Sequence, residues 1–545
     1  MLSPLVFLFS STTQNPERFF QGYFFHGTDY VTGEEGFERF REARGVERPE
    51  REDGCYVLAE RENSGYYRFS TDYAGYKKLF YFWDDGFWVV SNSLYRIAEH
   101  LRRHGYPVLP DHSQLAAMAT EGTFYRSGRG SFFAQLTSFD TLVRGVRLVP
   151  ADYALRIGSS GYRLEKAPRL PRQGNYRDRL ERFINTWIGR LSTLAREPAV
   201  RISCDLTGGL DSRTVFSLLL GALRDCDRDV ANRLQICCGG GRGTGKDHLI
   251  ASLLCRRFSM PLNGPLGRKQ AWLNGKTSYA LWKDLCLGVY HPILFPGAFP
   301  TGEIIRLGGA GGENHRPFYA QFLGAPSAET FVARRTRNIR PASARRGFEA
   351  ALQQAIGRVT EDAPEYLDIL ACHYRHFRNR FHAGREPQYT VKFLPLASKL
   401  LDDVTAVAGK ARFHAAQVHY DILYNLSPEL LDLPFDRGHK RPGRGVRRNF
   451  TAITILPATP GTCFIGEVRA PRQATRKGKK TASAIAFLRE EFDVARNGFA
   501  ADFLGHWYVR RAAAALERAV HDGGFSSPVQ SKRVAAIIAC TMFEP

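Results

Sequence analysis

The sequence predicts an α/β protein of two domains, the first an α+β unit of stacked antiparallel strands and the second a parallel sheet covered by helices. Three observations carry this expectation. At 545 residues the chain exceeds the ~250–300 residues at which a single hydrophobic core stops growing. From Gly22 to about Ile157, short runs rich in aromatic and β-branched residues are separated by Gly, Asp and Asn, the spacing of an antiparallel domain. After the polar stretch Arg169–Asn175, long amphipathic patterns alternate with short apolar runs, which is the signature of a parallel sheet. The expected domains are 1–168 and 176–545.

Leu5–Phe9 reads as a first strand, since the N-terminus has no basic n-region and no small-residue cleavage site. Further strands are expected at Cys55–Ala59, Tyr66–Ser70, Leu79–Trp83, Phe87–Ser91 and Tyr153–Ile157, with helices at Ser93–His104 and Ser113–Glu121, each opened by a serine cap. In the second part, Tyr176–Glu197, Ser212–Arg224 and Asp247–Phe258 read as helices, and Ala199–Leu206 and Leu234–Cys238 as buried strands. From Pro341 to Pro545 the periodicity is helical. It is interrupted at 436–480 by a basic segment rich in Gly, Pro and Arg, expected to contain a mobile, lid-type loop.

Hydrophobic residues make up 43% of the chain and charged ones 24%, which excludes a disordered class. No stretch approaches the ~18 apolar residues of a membrane helix, so no membrane partner is expected. The net charge of +22 comes from arginines scattered through nearly every segment. A generally basic surface, and not a nucleic-acid-binding tail, is the expectation. The ten cysteines form no C-x-x-C pair, which leaves zinc-ribbon and thioredoxin readings without support and points to a reducing, cytoplasmic setting.

The informative unit is Ile202-Ser203-Cys204-Asp205-Leu206-Thr207-Gly208-Gly209-Leu210-Asp211-Ser212-Arg213-Thr214-Val215, a strand running through a glycine turn into a helix. Two glycines let backbone N–H groups approach phosphate oxygens, and the helix expected to begin at Ser212 points its positive end at the same anion. Thr207 and Ser212 add hydroxyls, and Asp211 stands where it could hold a magnesium ion against phosphates. A second candidate loop, Gly240-Gly241-Arg242-Gly243-Thr244-Gly245-Lys246, fits G-x-x-x-x-G-K, but Asp247 follows where Ser or Thr is needed.

The hexapeptide Thr207–Ser212 resembles the SGGxDS pyrophosphate loop of the asparagine synthetase and β-lactam synthetase family. Leu307-Gly308-Gly309-Ala310-Gly311-Gly312-Glu313-Asn314 is similar to that family's second segment, of SGEGADE type, with Ala310 and Asn314 departing from its acidic positions. Asp72-Tyr73-Ala74-Gly75, Leu79-Phe80-Tyr81, Val90-Ser91-Asn92-Ser93 and Val146–Pro150 resemble its glutaminase-type domain. The resemblance implies an Ntn-hydrolase-like stacked-sheet domain followed by an ATP-pyrophosphatase domain, adenine nucleotide alpha hydrolase-like, with C-terminal helices.

It also implies ATP and Mg²⁺ as cofactors. Nucleotide would be held by Leu206, Thr207, Gly208, Gly209, Asp211, Ser212, Gly309 and Gly311, the metal by Asp211 and Glu313, with Lys440 stabilising the transferring group. The expected activity is ATP-dependent formation of an amide bond from a small-molecule or peptide carboxylate and an amine or ammonia. A homodimer is left open. Glutamine-using members carry a cysteine directly after the initiator methionine, whereas this sequence has Leu2, Ser3 and Pro4, so glutamine hydrolysis is not expected. Two rival classes share the loop: RNA-modifying enzymes, which place it near their N-terminus, and a catalytically inactive nucleotide-binding descendant. His291, His315, His376 and His439 show no metal-ligand spacing and are expected to be core or surface residues.

Overall fold

Alternation along each strand decides where this chain buries its aromatic side chains. The structure, a computed structural model, describes residues 5–120, 129–167, 174–224, 226, 230, 233–239, 245–264, 272–298, 303–318, 327–361, 363, 367, 369–466 and 480–544. Leu2, Ser3, Pro4, Glu121, residues 169–173 of the expected boundary and residues 240–244 of the second glycine loop lie outside them.

The strands in order are β1 (Leu8–Ser10), β2 (Arg18–His26), β3 (Asp29–Thr32), β4 (Asp53–Arg61), β5 (Tyr67–Thr71), β6 (Phe80–Asp84), β7 (Phe87–Ser91), β8 (Arg147–Leu148), β9 (Tyr153–Gly158), β10 (Gly161–Lys166), β11 (Arg201–Asp205), β12 (Leu234–Cys237), β13 (Ile304–Leu307), β14 (Lys392–Phe393) and β15 (Cys463–Ile465). They build sheets of order β1-β7-β6-β8, β10-β9-β5-β4-β2-β3-β15 and β12-β11-β13-β14. On β4, Val57 and Ala59 face the four-stranded antiparallel sheet and share a core with Phe9, Tyr81, Trp88 and Val90. Tyr56 and Leu58 point the other way, packing with Phe20 and Phe24 under α1 (Glu34–Arg44). The Phe20 and Phe37 rings stack there at 4.4 Å, and each such buried ring contributes roughly 1.5–3 kcal/mol.

Of the six strands expected in this part, the five from Cys55 to Ile157 form, and the first, expected at Leu5–Phe9, is shorter and shifted to Leu8–Ser10. β2 was not legible because phenylalanines lie on both of its faces, erasing the period of two. Ser93 caps α2 (Leu94–Arg103) as expected, accepting from Arg96 N at 3.2 Å. The cap of α3 (His112–Ala119) is not Ser113 but Asp111, whose Oδ1 accepts from Ser113 N at 2.9 Å and Gln114 N at 3.0 Å. A carboxylate reaching two first-turn donors outcompetes a hydroxyl already inside the turn.

The second part begins with α4 (Tyr176–Arg196), closed at its start by a reciprocal Asn175–Asp178 capping box. All strand pairs of the third sheet are parallel. The chain leaves β11 for β12 on one side and returns across β11 to β13 on the other, so the loops after β11 and β13 part at a topological switch point. The helices that cover this sheet include α5 (Leu210–Leu223) and α6 (Gly245–Arg257). Packing crosses the boundary expected near residue 170. The C-terminal helices Lys480–Ala495 and Pro528–Cys540 share one core with α2 and α7 (Gly275–Cys286), through Leu94, Ile97, Trp282, Leu488 and Ile537.

Of the segment 436–480, residues 467–479 lie outside the described ones. The preceding part is a pinned strap, held by backbone hydrogen bonds to side chains of two helices. Thr451 N and Ile453 N donate to Asp421 and Asn425 of the helix Gln417–Leu426, and Thr454 N and Leu456 N to Glu181 and Asn185 of α4. The strap then ends as β15, paired in parallel with β3. Among the described residues no helix is long and apolar enough to cross a membrane.

Candidate functional site

β11 delivers the glycine turn to the C-terminal edge of the parallel sheet. Leu206 is fully buried, its N–H donating to Cys237 O at 2.8 Å. Gly209 is the N-cap of α5, and no described side chain caps that end. The helix thus starts two residues before the expected Ser212, because glycine can leave the first-turn N–H groups open to an external anion. Ser212 is inside the turn. Its Oγ accepts from Thr207 N at 3.0 Å and lies 3.0 Å from Thr207 Oγ1, so both hydroxyls shape the loop. Gly208 N donates to Asp247 Oδ1 at 2.9 Å, placing the first turn of α6 directly over the loop.

The segment after β13 meets this turn backbone to backbone. A methyl on Gly309 would sit 2.6 Å from Ser212 N, and one on Gly312 would strike the Asp211 carboxylate. Gly311 adopts φ 97° against Ala397. Glu313 follows in the short turn Gly312–His315. Ala310 is half-buried, packing with the apolar core, and Asn314 is buried with an Oδ1 that no described residue bonds.

Three further residues complete the cluster. Arg316 places Nη2 2.6 Å from Asp211 Oδ2 and 3.9 Å from Glu313 Oε1. His419 is fully buried, with Nε2 3.3 Å from Asp211 Oδ1 and neither ring nitrogen hydrogen-bonded to a described residue. Lys440 pairs with Asp436 at 2.8 Å, close to Gly209. Burial opposes ionisation of Asp211, but Arg316, His419 and Lys440 together hold its carboxyl below the usual range. Glu313 goes the opposite way: burial and the Asp211 charge raise it, with Arg316 offsetting part of the rise.

Arg213, the residue after the hexapeptide, sets where Lys440 stands. Its buried guanidinium donates to Leu430 O at 2.7 Å and Leu433 O at 3.1 Å, bonds Pro434 O, and lies 3.7 Å from the centre of the Phe435 ring. Asp436 N, next in the chain, donates to Gly208 O at 3.0 Å, and Tyr420 OH holds Lys440 O at 3.0 Å. Beside the loop, Lys392 Nζ bridges Asp205 at 2.9 Å and Glu386 at 2.8 Å. Burial works against Glu386, yet Lys392 and Arg306 pull its carboxyl down to about 2.

The structure therefore brings together Leu206, Thr207, Gly208, Gly209, Asp211, Ser212, Gly309, Gly311, Glu313 and Lys440 from three separate stretches of chain. Of the four histidines, His315 is a core residue bonded at 2.6 Å to both Thr405 Oγ1 and Leu396 O, His291 is buried as well, and His376 is half-buried. His439 lies in a short exposed turn. Arg316 and His419 carried no sequence signal: one follows a departure from the second segment's pattern and the other sits alone on a helix.

An anion fits this arrangement, between the open end of α5, Lys440 and Arg316. A resident magnesium ion fits it poorly. The space between Asp211 and Glu313 is held by the Arg316 guanidinium, and among the described residues no group of three or more His, Cys, Asp or Glu is placed to hold a metal. No protein-family model matches the chain, and no curated protein sequence matches it.

Proposed function

We propose that the chain is an AMP-forming carbon-nitrogen ligase, with an Ntn-like first domain and a nucleotide-binding parallel-sheet domain. The observation that supports it most is the meeting of the two glycine segments at the switch point, where Gly309 lies against Ser212 beside an uncapped helix end and a lysine from the strap. Open crevices at such points are the ligand positions of parallel sheets.

In the proposed reaction a carboxylate oxygen of a small molecule or peptide attacks the α-phosphorus of ATP. The bond to the bridging oxygen breaks, giving an acyl-adenylate and pyrophosphate. The N–H groups at the start of α5 and Lys440 receive the pyrophosphate charge, in the manner of a preorganised anion hole. An amine or ammonia then attacks the acyl carbon, AMP leaves with the bonding pair, and the nitrogen loses a proton to give the amide. Magnesium, which the resemblance implies, would enter as the counter-ion of the nucleotide.

Cys55, the first cysteine in the sequence, is buried in β4 with its thiol pushed up by burial, unsuited to nucleophilic attack. We assign the amine to the substrate or to free ammonia.

The test is magnesium-dependent ATP–pyrophosphate exchange with pooled amino acids, uronic acids and peptides. Exchange with one pool, lost in Asp211→Ala, is expected; exchange that persists unchanged in the variant would overturn the proposal. The inactive-descendant reading draws support from Arg316 on Asp211 and Asp247 on Gly208. Nucleotide binding without exchange for any pool would favour it.

A further inference from the structure

We propose that Arg316 is the resident counter-charge of the Asp211–Glu313 pair, so that in the free protein its guanidinium fills the seat a divalent metal would otherwise take. The place assigned to the seat rests on the nucleotide reading above, but the occupancy rests on geometry alone. Arg316 contacts Asp211 at 2.6 Å and reaches toward Glu313 at 3.9 Å. It projects from the residue just after the turn Gly312–His315 that carries Glu313. The two carboxylates come from different stretches of chain, one on the first turn of α5 and the other after β13, and the guanidinium spans both.

The wall opposite is the independent observation. His419 Nε2 stands 3.3 Å from Asp211 Oδ1, and the imidazole is fully buried with no hydrogen bond to a described residue on either nitrogen. Asp211 Oδ1 itself is buried without a hydrogen-bond partner among the described residues. Carboxylates are the oxygen donors that suit Mn²⁺ or Mg²⁺, and the guanidinium takes up the side of Asp211 that turns toward Glu313, with no third His, Cys, Asp or Glu among the described residues placed to complete a metal site. Removing the guanidinium leaves the two carboxylates without the cation they share. Retaining it means that a metal brought by a nucleotide meets a site already balanced, and Arg316 is then free to turn toward the phosphates, whose geometry its planar fork matches.

Arg316 is thus a positioning residue in the free protein, holding Asp211 and Glu313 in register across the two loops. The substitution of Ala310 and Asn314 for acidic residues fits the same logic. With fewer carboxylates in the second segment, one internal cation suffices to balance those that remain.

Mn²⁺ binding to the full chain without nucleotide, followed by electron paramagnetic resonance, tests the inference. The wild-type chain is expected to take up no Mn²⁺ dependent on Asp211 at concentrations where Arg316→Ala and Arg316→Gln each bind one ion per chain. Arg316→Lys, which keeps the charge, is expected to behave as wild type, and Mn²⁺ should raise the melting temperature of the alanine and glutamine variants only. One Mn²⁺ bound by the wild-type chain and lost in Asp211→Asn would overturn the proposal even if neither variant folded. Folded variants that bind no Mn²⁺ would also overturn it. Loss of ATP–pyrophosphate exchange in every form, with the metal result as expected, would sink the nucleotide reading and leave Arg316 in its place.

Discussion

Gly309 is the residue at which the two site loops cannot tolerate a side chain. Alanine there would press its methyl to 2.6 Å from Ser212 N and 2.9 Å from Asp211 C, backbone atoms with no room to yield, an overpacking cost of about 1–3 kcal/mol. Gly309→Ala is expected to weaken ATP binding at least tenfold by calorimetry, about 1.4 kcal/mol, while the circular dichroism spectrum stays that of the parent. Lys440 acts by charge. Lys440→Met is expected to lower the exchange rate on the order of 100-fold with a smaller change in the KM for ATP, the pattern of an interaction made in the transition state. At this scale the sequence was most legible where glycines and hydroxyls cluster in one stretch, since local turn chemistry fixes them. It was silent on His419, which acquires its meaning from Asp211, 208 positions earlier in the chain, and such proximity exists only after folding.

Elements were legible where composition and punctuation mark them. The amphipathic α4 could be read from periodicity, and β4 to β7 from aromatic and β-branched runs set between Gly, Asp and Asn, although β4 and β7 are buried on both faces; β2 carries phenylalanines on both faces and β3 has only four residues, which leaves no pattern to read. The turn after β5 carries a group that reports on its own packing. Asp72 is fully buried and accepts Tyr76 N and Lys77 N, both at 2.8 Å. Burial nevertheless raises its carboxyl from 3.8 to about 6, with the two N–H groups and Arg380 offsetting only part. The folded state then holds this proton more tightly than the unfolded one. Its contribution is complete below about pH 4 and is lost as pH rises to about 6. A shift of about two units corresponds to ~3 kcal/mol. Urea melts of Asp72→Asn between pH 4 and 6 are expected to show a shallower decline than wild type. Asp421, also raised to about 6 by burial, adds to the same slope, so the variant flattens it without abolishing it.

Across the whole molecule, the seven-stranded sheet and the parallel-sheet part are joined by buried charge as well as by aromatic packing. Asp53 on β4 receives Arg190 Nη1 of α4 at 2.6 Å, Ser398 Oγ at 2.6 Å and Lys399 N at 2.8 Å. Arg190 and Asp53 are only 1% and 6% exposed, so removing one partner strands the other without water. Asp53→Ala is expected to cost about 3–5 kcal/mol and to lower the melting temperature as a single cooperative transition. Two separate transitions would show that the sheets unfold independently. The division of the chain near residue 170 was legible because composition changes there, but the cores shared across it were not, since a helix pattern does not say which sheet it will cover.

The pairing of β15 with β3 joins Cys463 to Tyr30, 433 positions earlier in the chain. While the protein is being synthesised, the outer edge of β3 stays open until Cys463–Ile465 has left the ribosome, an unpaired strand with β-branched and aromatic side chains and the usual risk of pairing with a neighbour. Contacts of such long sequence separation are slow to form. Maturation of this protein is therefore expected to be late: nascent chains halted before residue 463 should resist proteolysis poorly, and full protection should await both closure of the sheet by the strap and packing of the C-terminal helices into the core they share with α2 and α7.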